Sequence, residues 1–556
     1  MKKSLRQEEQ SRRQFMSRSA ASAAGLTGVV STITNMRLMQ AALASSAEEI
    51  TDYKALIVLF LFGGVNTDNM LMPGASHPGR ANYDNYRGVL AIPTGNQLPI
   101  TAGNLSGGEE SFGLHPTMPD VQNIFNNTGG AGNLSFVANV GTLIEPTIKT
   151  GDLQFNVPVP PQLFSHSDQQ VQWQSSVPDQ PFTSGWAGRV ADILSDMNNM
   201  SNPNSKISMS VTLSGLNSLL VSVPGAPIQY SVTTDGAISL NGYGANYVNA
   251  LDDPSNIYSY KNPPTSTSRR LEAFQKIMDY SHANLMEDSY NTVVKRARVN
   301  EGFVGNALDP TILTNLGLDF DNIFTTQHGV GSIDNLPSVS QQLLTIAKMI
   351  AGRDCLGNRR QLFFCSQGGY DTHQDQGGFD GTNLVAGDLD DNLTDLNNAL
   401  ASFNECMQAL GGADPNFNYD DFLLATHSDF NRTFTPNGNV AGSSGSDHGW
   451  GGHHIVMGGG VKGGNVYGYY HDLQVTGQFD VNNIAGSRGR WIPTTSVDQF
   501  SAPLASWLGI DTGAGGSIPG SEMATIFPNL ERFANPFQST YDPSDPLANA
   551  NLDYLL

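Results

Sequence analysis

The sequence predicts a layered α/β fold, and three observations carry that expectation. Residues 54–62 form an unbroken apolar run closed by Gly63 and Gly64, the pattern of a short central strand buried on both faces. Similar short runs return at 134–140, 361–365, 422–426 and 455–457, with segments of helical period between several of them. Clusters of Asp, His, Asn and Gly follow or adjoin these strands, where open α/β sheets collect their ligands.

Taken in chain order, the first element is a leader. Arg12 and Arg13 stand in the run SRRQFM at 11–16, a weakly apolar stretch covers 20–34, and Ala42-Leu43-Ala44 has the form of a cleavage site. Residues 1–44 therefore read as a twin-arginine signal peptide. Its export machinery is an expected partner, and the periplasm or the exterior is the expected location. Residues 45–556 read as a single α/β domain. The 20–34 stretch is too polar for a membrane span, and nothing later approaches the run of about 18 apolar residues that a spanning helix needs.

Within the domain, short β-type runs at 207–213 and 219–223 sit among turn residues and predict a small β-rich insertion over about 205–265. Helices are expected at 268–298, 338–350 and 389–410. In the last of these Leu389, Leu393, Leu396, Leu400, Phe403, Met407 and Leu410 recur at three- and four-residue spacing. Asp390, Asp391 and Asp395 fall between them and read as a solvated helix face, not a metal site.

Composition narrows the function. A formal charge of −22 opposes sequence-independent nucleic-acid binding and a polybasic membrane anchor, both of which need a basic surface. It favours divalent cations as partners, although such a balance also simply keeps an exported protein soluble. The 59 glycines, with abundant Asn, Ser, Thr and Asp, imply long loops on a smaller scaffold. Three cysteines (Cys355, Cys365 and Cys406) are too few for a disulfide framework and form no CxxC pair, though two of them could bridge.

Four polar clusters carry the chemistry. The first, after the opening strand, holds Asn66, Thr67 and Asp68; the second holds His166 and Asp168; the third holds Asp371 and His373. The fourth runs from Asp429 and Arg432 to Asp447, His448, His453 and His454. Asp oxygen with His nitrogen is a ligand set suited to a divalent metal, with zinc the leading candidate. A metal so held could polarise a phosphoryl or sulfuryl oxygen and acidify a water. Alone, Asp371 and His373 would as readily stabilise a turn. His453 and His454 are adjacent, so a strand points them to opposite faces. Asp447 and His448 lie in a Gly/Ser loop with no packing role to fill.

Taken together, LFGG at 61–64, NMLMP at 69–73, PQLFSHSDQQ at 161–170, GWAGR at 185–189, GYDTH at 369–373, SDFNRT at 428–433 and SDHGWGGHH at 446–454 resemble successive motifs of the domain of unknown function 1501 family. They run in family order and cover nearly the whole mature chain. The resemblance implies an alkaline-phosphatase-like fold: three α/β/α layers around a mixed, mostly parallel sheet, holding one or two metal ions. It implies Asp371, His373, Asp429, Asp447 and His448 as metal ligands, while His166 and Asp168 are characteristic of the family without an inherited role.

Two departures matter. Many relatives show Gly-Gly-Asn-Asp after the first strand, where this chain has Val65 and Asn66, with Asp68 two residues on as a substitute ligand. No Cys-x-Pro-x-Arg or Ser-x-Pro-x-Arg run is present, which opposes a formylglycine sulfatase. Thr67 is then the nearest nucleophile and Arg432 a group to neutralise developing charge. Two functions follow as expectations: an exported, metal-dependent hydrolase of phosphate or sulfate esters, or a non-catalytic binding or assembly protein that keeps the fold and engages a small molecule or another protein.

Overall fold

The computed structural model describes residues 50–130, 132–201, 207–222, 229–234, 236–237, 250–253, 258–278, 300–538 and 552–556. The expected leader at 1–44 lies outside them, as do residues 279–298 of the helix expected at 268–298 and part of the expected insertion.

One ten-stranded sheet organises the chain: β1 Lys54–Leu61, β2 Leu134–Gly141, β3 Ser210–Thr212, β4 Tyr230–Thr233, β5 Gly236–Ala237, β6 Arg360–Gln367, β7 Phe422–Ser428, β8 Gly452–Met457, β9 Val466–Gly468 and β10 Thr495–Ser496. Across the sheet the order is β5-β4-β3-β6-β1-β7-β8-β2-β9, with β10 also paired to β2. β1 runs parallel to β6 and β7, and β6 to β3. β8 is antiparallel to both neighbours, as is β5 to β4. The protein is thus an α/β fold, as the apolar runs predicted, on a mixed, mostly parallel sheet, as the resemblance implied.

The strand β1 sets the register. Ala55, Ile57, Leu59 and Leu61 enter one core, and Leu56, Val58 and Phe60 the other, all essentially without exposure. Burying each large side chain contributes about 1.5–3 kcal/mol, so a one-residue slip would misplace two cores at once. The first core also holds Leu343, Ile346 and Met349 of α4 Ser338–Ala351 and Leu393, Leu396 and Leu400 of α5 Asp388–Ala413, with Phe320 and Phe324 of α3 Phe320–His328. The second holds Trp173 of α1 His166–Ser175, Trp186 and Val190 of α2 Trp186–Ser201, and Phe500 and Leu504 of α6 Val497–Leu508. Among the described residues no helix is long and apolar enough to cross a membrane.

One expectation changes. Within the expected insertion, Ser210, Val211 and Thr212 pair with Leu362, Phe363 and Phe364, so β3 and β4 extend the main sheet. Residues 219–222 form no strand, because the carbonyls of Leu219 and Val221 accept from Gly188 and Gly185 at the start of α2. Of the three aspartates singled out on α5, Asp391 is exposed, while Asp390 accepts from Gly387 N and caps the helix. All three cysteines are free thiols.

Buried histidines make the fold acid-sensitive. Burial pushes His427, His471 and His115 down to about 3 and His77 to about 4, and takes His454 well below the ordinary range. The unfolded chain binds these protons near pH 6.5 while the folded chain refuses them, so their contribution is complete above 6.5 and is lost as pH falls toward 3. Each costs about 1.4 kcal/mol per pH unit in that window. Asp498, pushed up to about 7 by burial, and Asp390, to about 6, act in the opposite sense and offset part of the loss. Urea midpoints measured at pH 7.5 and 5.5 are expected to fall clearly at the lower pH; an unchanged midpoint would show that these rings titrate normally.

Candidate metal centre

Register places the centre. Leu61 of β1 pairs with Gln367 of β6 on one side and Ser428 of β7 on the other, so three parallel strands end at one level. The loops that leave them carry Gly63, Asp371 and Asp429. A fourth segment, around Ser446 to Trp450, is stitched across the third loop: Thr433 N donates to Asp447 O at 2.8 Å and Gly449 N to Asn431 O at 2.7 Å. His448 thereby stands opposite Arg432. His166 arrives at the first turn of α1.

Three ligating atoms converge, and His373 Nε2 stands beside two of them. Nε2 of His166, Nε2 of His448 and a carboxylate oxygen of Asp371 lie within 4.8 Å of one another, a group that could hold a metal ion. His448 Nε2 is 3.1 Å from His166 Nε2 and 3.0 Å from His373 Nε2. Asp371 Oδ1 is 3.5 Å from His166 Nε2, 3.6 Å from His448 Nε2 and 3.2 Å from His373 Nε2.

The opposite ring nitrogens fix the tautomers. His166 Nδ1 donates to Asp429 Oδ2 at 2.6 Å, His448 Nδ1 to the Phe164 carbonyl at 2.7 Å, and His373 Nδ1 to Asp447 Oδ1 at 3.1 Å. Every one of those partners can only accept, so in each neutral ring the proton is on Nδ1 and the Nε2 lone pair points into the cluster. Three lone pairs and a carboxylate facing one another repel unless protons or a cation stand among them. This is the arrangement by which second partners orient histidine ligands.

Electrostatics agree. Its hydrogen bond to Asp429 raises His166 above the ordinary histidine range, whereas burial, helped by the positive neighbours, lowers His448. Burial works to raise Asp371, but the hydrogen bond and charge of Arg432, with His166 and His373, hold it below the usual carboxylate range. Burial likewise opposes ionisation of Asp447, and hydrogen bonds from Asn437 and His373 with the charge of Arg488 prevail.

The residues singled out from sequence divide. Asp371, His373 and His448 meet in the cluster, and His166 joins them there. Asp429 and Asp447, expected as ligands, stand one bond further out, each against a histidine Nδ1. Asp429 Oδ2 also accepts from Gln170 Nε2 at 3.0 Å, while its Oδ1 is buried without a hydrogen-bond partner among the described residues. Arg432 is fully buried: it donates to Asp371 Oδ1 at 2.7 Å, to Gly63 O at 3.1 Å and to Ser446 O.

The remaining residues serve elsewhere. Asp168 accepts from Ser165 Oγ at 2.5 Å at the head of α1. Thr67 Oγ1 is buried and accepts from His453 N at 3.0 Å. Asn66 accepts from Arg87 at 2.6 Å. Asp68 lies in a separate buried group with Asn431, Trp491 and His453, the last 3.7 Å away. His453 and His454 do point to opposite faces, His454 packing on Trp173 and His453 on Tyr470.

Sequence reasoning missed Gln170, Arg488 and Arg490. Gln170 sits four residues after His166, one helical turn on, which could have flagged it. Nothing local marks the two arginines.

Residues 325–488 match the family model described as protein of unknown function (DUF1501). That DUF1501 segment carries Asp371, His373, Asp429, Arg432, Asp447, His448 and Arg488, whereas His166 lies before it. No curated protein matches the chain.

Proposed function

We propose that the protein is a metal-dependent hydrolase of phosphate or sulfate esters with an alkaline-phosphatase-like, three-layer α/β/α architecture, exported through the twin-arginine pathway. The observation that carries the catalytic reading is the convergence of three histidine Nε2 lone pairs on Asp371, each ring locked from behind by an acceptor. The donor set fits a divalent cation, zinc foremost, and His166, His448 and Asp371 would hold it, with His373 as a further nitrogen beside them. The cation would supply Lewis acidity toward an ester oxygen and a lowered pKa for a water.

The chain's own groups do the rest. Arg432 pins Asp371 Oδ1 from the buried side and keeps it ionised. Asp429 and Asp447 hold the imidazoles in the required tautomer. The packing of Thr67 against His453 N removes it as the nucleophile in this reading and assigns that role to water. Phe430 packs against the rings of His166 and His448, each with centroids 4.7 Å away, and forms an apolar floor. The export reading rests on Arg12, Arg13 and the apolar stretch behind them.

The same burial of Thr67 favours the second reading, a non-catalytic exported binding protein with a structural metal. Zinc-loaded protein assayed on a broad panel of phosphate and sulfate esters separates the two. Turnover that falls at least 10³-fold in Asp371→Ala and His448→Ala supports the hydrolase; no turnover on any ester by metal-loaded protein sinks it.

A further inference from the structure

Beside the cluster lies a cavity of about 340 Å³ lined by Asp447, Asn482, Ile484, Gly486, Ser487, Arg488 and Arg490. It shares its inner wall with the metal centre. Asp447 braces His373, and Arg490 Nε donates to the His448 carbonyl at 2.9 Å. Arg488 and Arg490 bring two guanidiniums to this wall, the first already paired with Asp447.

We propose that this cavity receives an oxyanion carried on the organic part of the substrate: a sulfate, phosphate or carboxylate distinct from the ester that reacts. In calling the occupant part of a substrate the proposal rests on the hydrolase reading; the anion site itself stands without it.

Three features of the loop support the site. First, its backbone is fixed. Asp480, fully buried, accepts from Thr476 N at 2.8 Å, Asn482 N at 3.2 Å, Ser487 Oγ at 2.6 Å and Arg490 N at 3.2 Å. The two arginines therefore project from a preorganised turn, and little order has to be gained on binding.

Second, the guanidinium plane of Arg490 is set by the ring of Phe164, 4.8 Å from its centroid, as well as by the bond to His448. Its Nη donors make no hydrogen bond to described residues, and such a fork matches two oxygens of one oxyanion.

Third, the single acid on the wall is already satisfied. Asp447 Oδ1 takes His373 and Asn437, and Oδ2 takes Arg488. Arg488 and Asp447 thus satisfy each other, which leaves the Arg490 fork as the group available to an anion.

The size adds a limit. Ligand cavities start at about 300 Å³, so this one suits an oxyanion together with a sugar-sized fragment. Ile484, 54% exposed at the rim, offers that fragment an apolar contact.

Calorimetry with inorganic sulfate and inorganic phosphate tests the site on the full chain. The comparison variant is His166→Ala/His448→Ala, which removes anion binding at a metal. One equivalent of anion is expected on the comparison variant, weakened at least tenfold by adding Arg490→Gln and abolished by adding Arg488→Gln/Arg490→Gln, with Arg490→Lys intermediate. Should the double variant fail to fold, a crystal of the unsubstituted protein soaked in tungstate decides instead: an anomalous peak between Arg488 and Arg490 supports the site, and its absence there rejects it. Anion binding lost only in the histidine variant, unchanged in the arginine variants, or absent throughout overturns the proposal. Those outcomes leave the ester panel untouched, and a failed panel leaves anion binding untouched.

Discussion

Full-length protein purified without chelator is expected to carry one tightly held equivalent of divalent metal, and His166→Ala/His448→Ala to carry none. The size of the effect follows from the count of ligands. Removing two of the three nitrogens leaves Asp371 and His373 on one side of the centre, too few to displace the hydration of a cation. Elemental analysis reads the result directly. Metal at full occupancy in the double variant would place the ion elsewhere and dismantle the centre described above.

Asp429→Asn probes the support behind the ligand. Asp429 Oδ2 is 2.6 Å from His166 Nδ1 and also takes Gln170 and Gly63 N, so the asparagine keeps the volume and loses the charge. Outer partners of this type typically account for 10–100-fold in metal affinity. Competition with a chromophoric chelator is expected to show a loss in that range while thermal stability of the metal-free protein changes little. Unaltered affinity would mean that His166 is not a ligand.

Gly63→Ala is expected to destabilise the fold by about 2–4 kcal/mol and to abolish metal binding with it. Gly63 holds φ +111°, a region that side chains avoid. A Cβ there would meet Asp371 N at 2.4 Å and the Tyr370 carbonyl carbon at 2.9 Å, both backbone atoms that cannot rotate away. The displacement would move the ligand itself. It would also disturb the carbonyl that accepts from Arg432 and the amide that donates to Asp429. Gly368→Ala is the control, since a Cβ there meets nothing within 4 Å, and it should change stability by less than about 0.5 kcal/mol. Paired denaturation curves with metal analysis decide the matter; a Gly63→Ala protein with unchanged midpoint and full metal would show that the loop accommodates the methyl.

How much was legible beforehand differs between the strands and the site. The apolar run through β1 was readable because both its faces are buried, so no polar position interrupts it. β2, β6, β7 and β8 are also buried on both faces and keep short apolar runs, although polar residues such as Asn139 in β2 and His453 and His454 in β8 break them. The run at 219–223 misled because Leu219 and Leu220 are buried in the second core while the carbonyls of Leu219 and Val221 accept from Gly188 and Gly185 at the head of α2, and composition cannot distinguish that from a ladder.

The sequence by itself determined the strand-rich α/β plan, the strand ends at which ionisable groups gather, and the residue types available to a cation. Only the tertiary structure decided which of them meet. His448 faces His166 across 282 residues and His373 across 75, a choice made by the level at which β1, β6 and β7 end. It also decided the roles of chemically identical groups. Asp371 enters the cluster while Asp429 and Asp447 back a ring nitrogen. A carboxylate's role is set by the atom it faces, and that depends on long-range packing that no local pattern encodes.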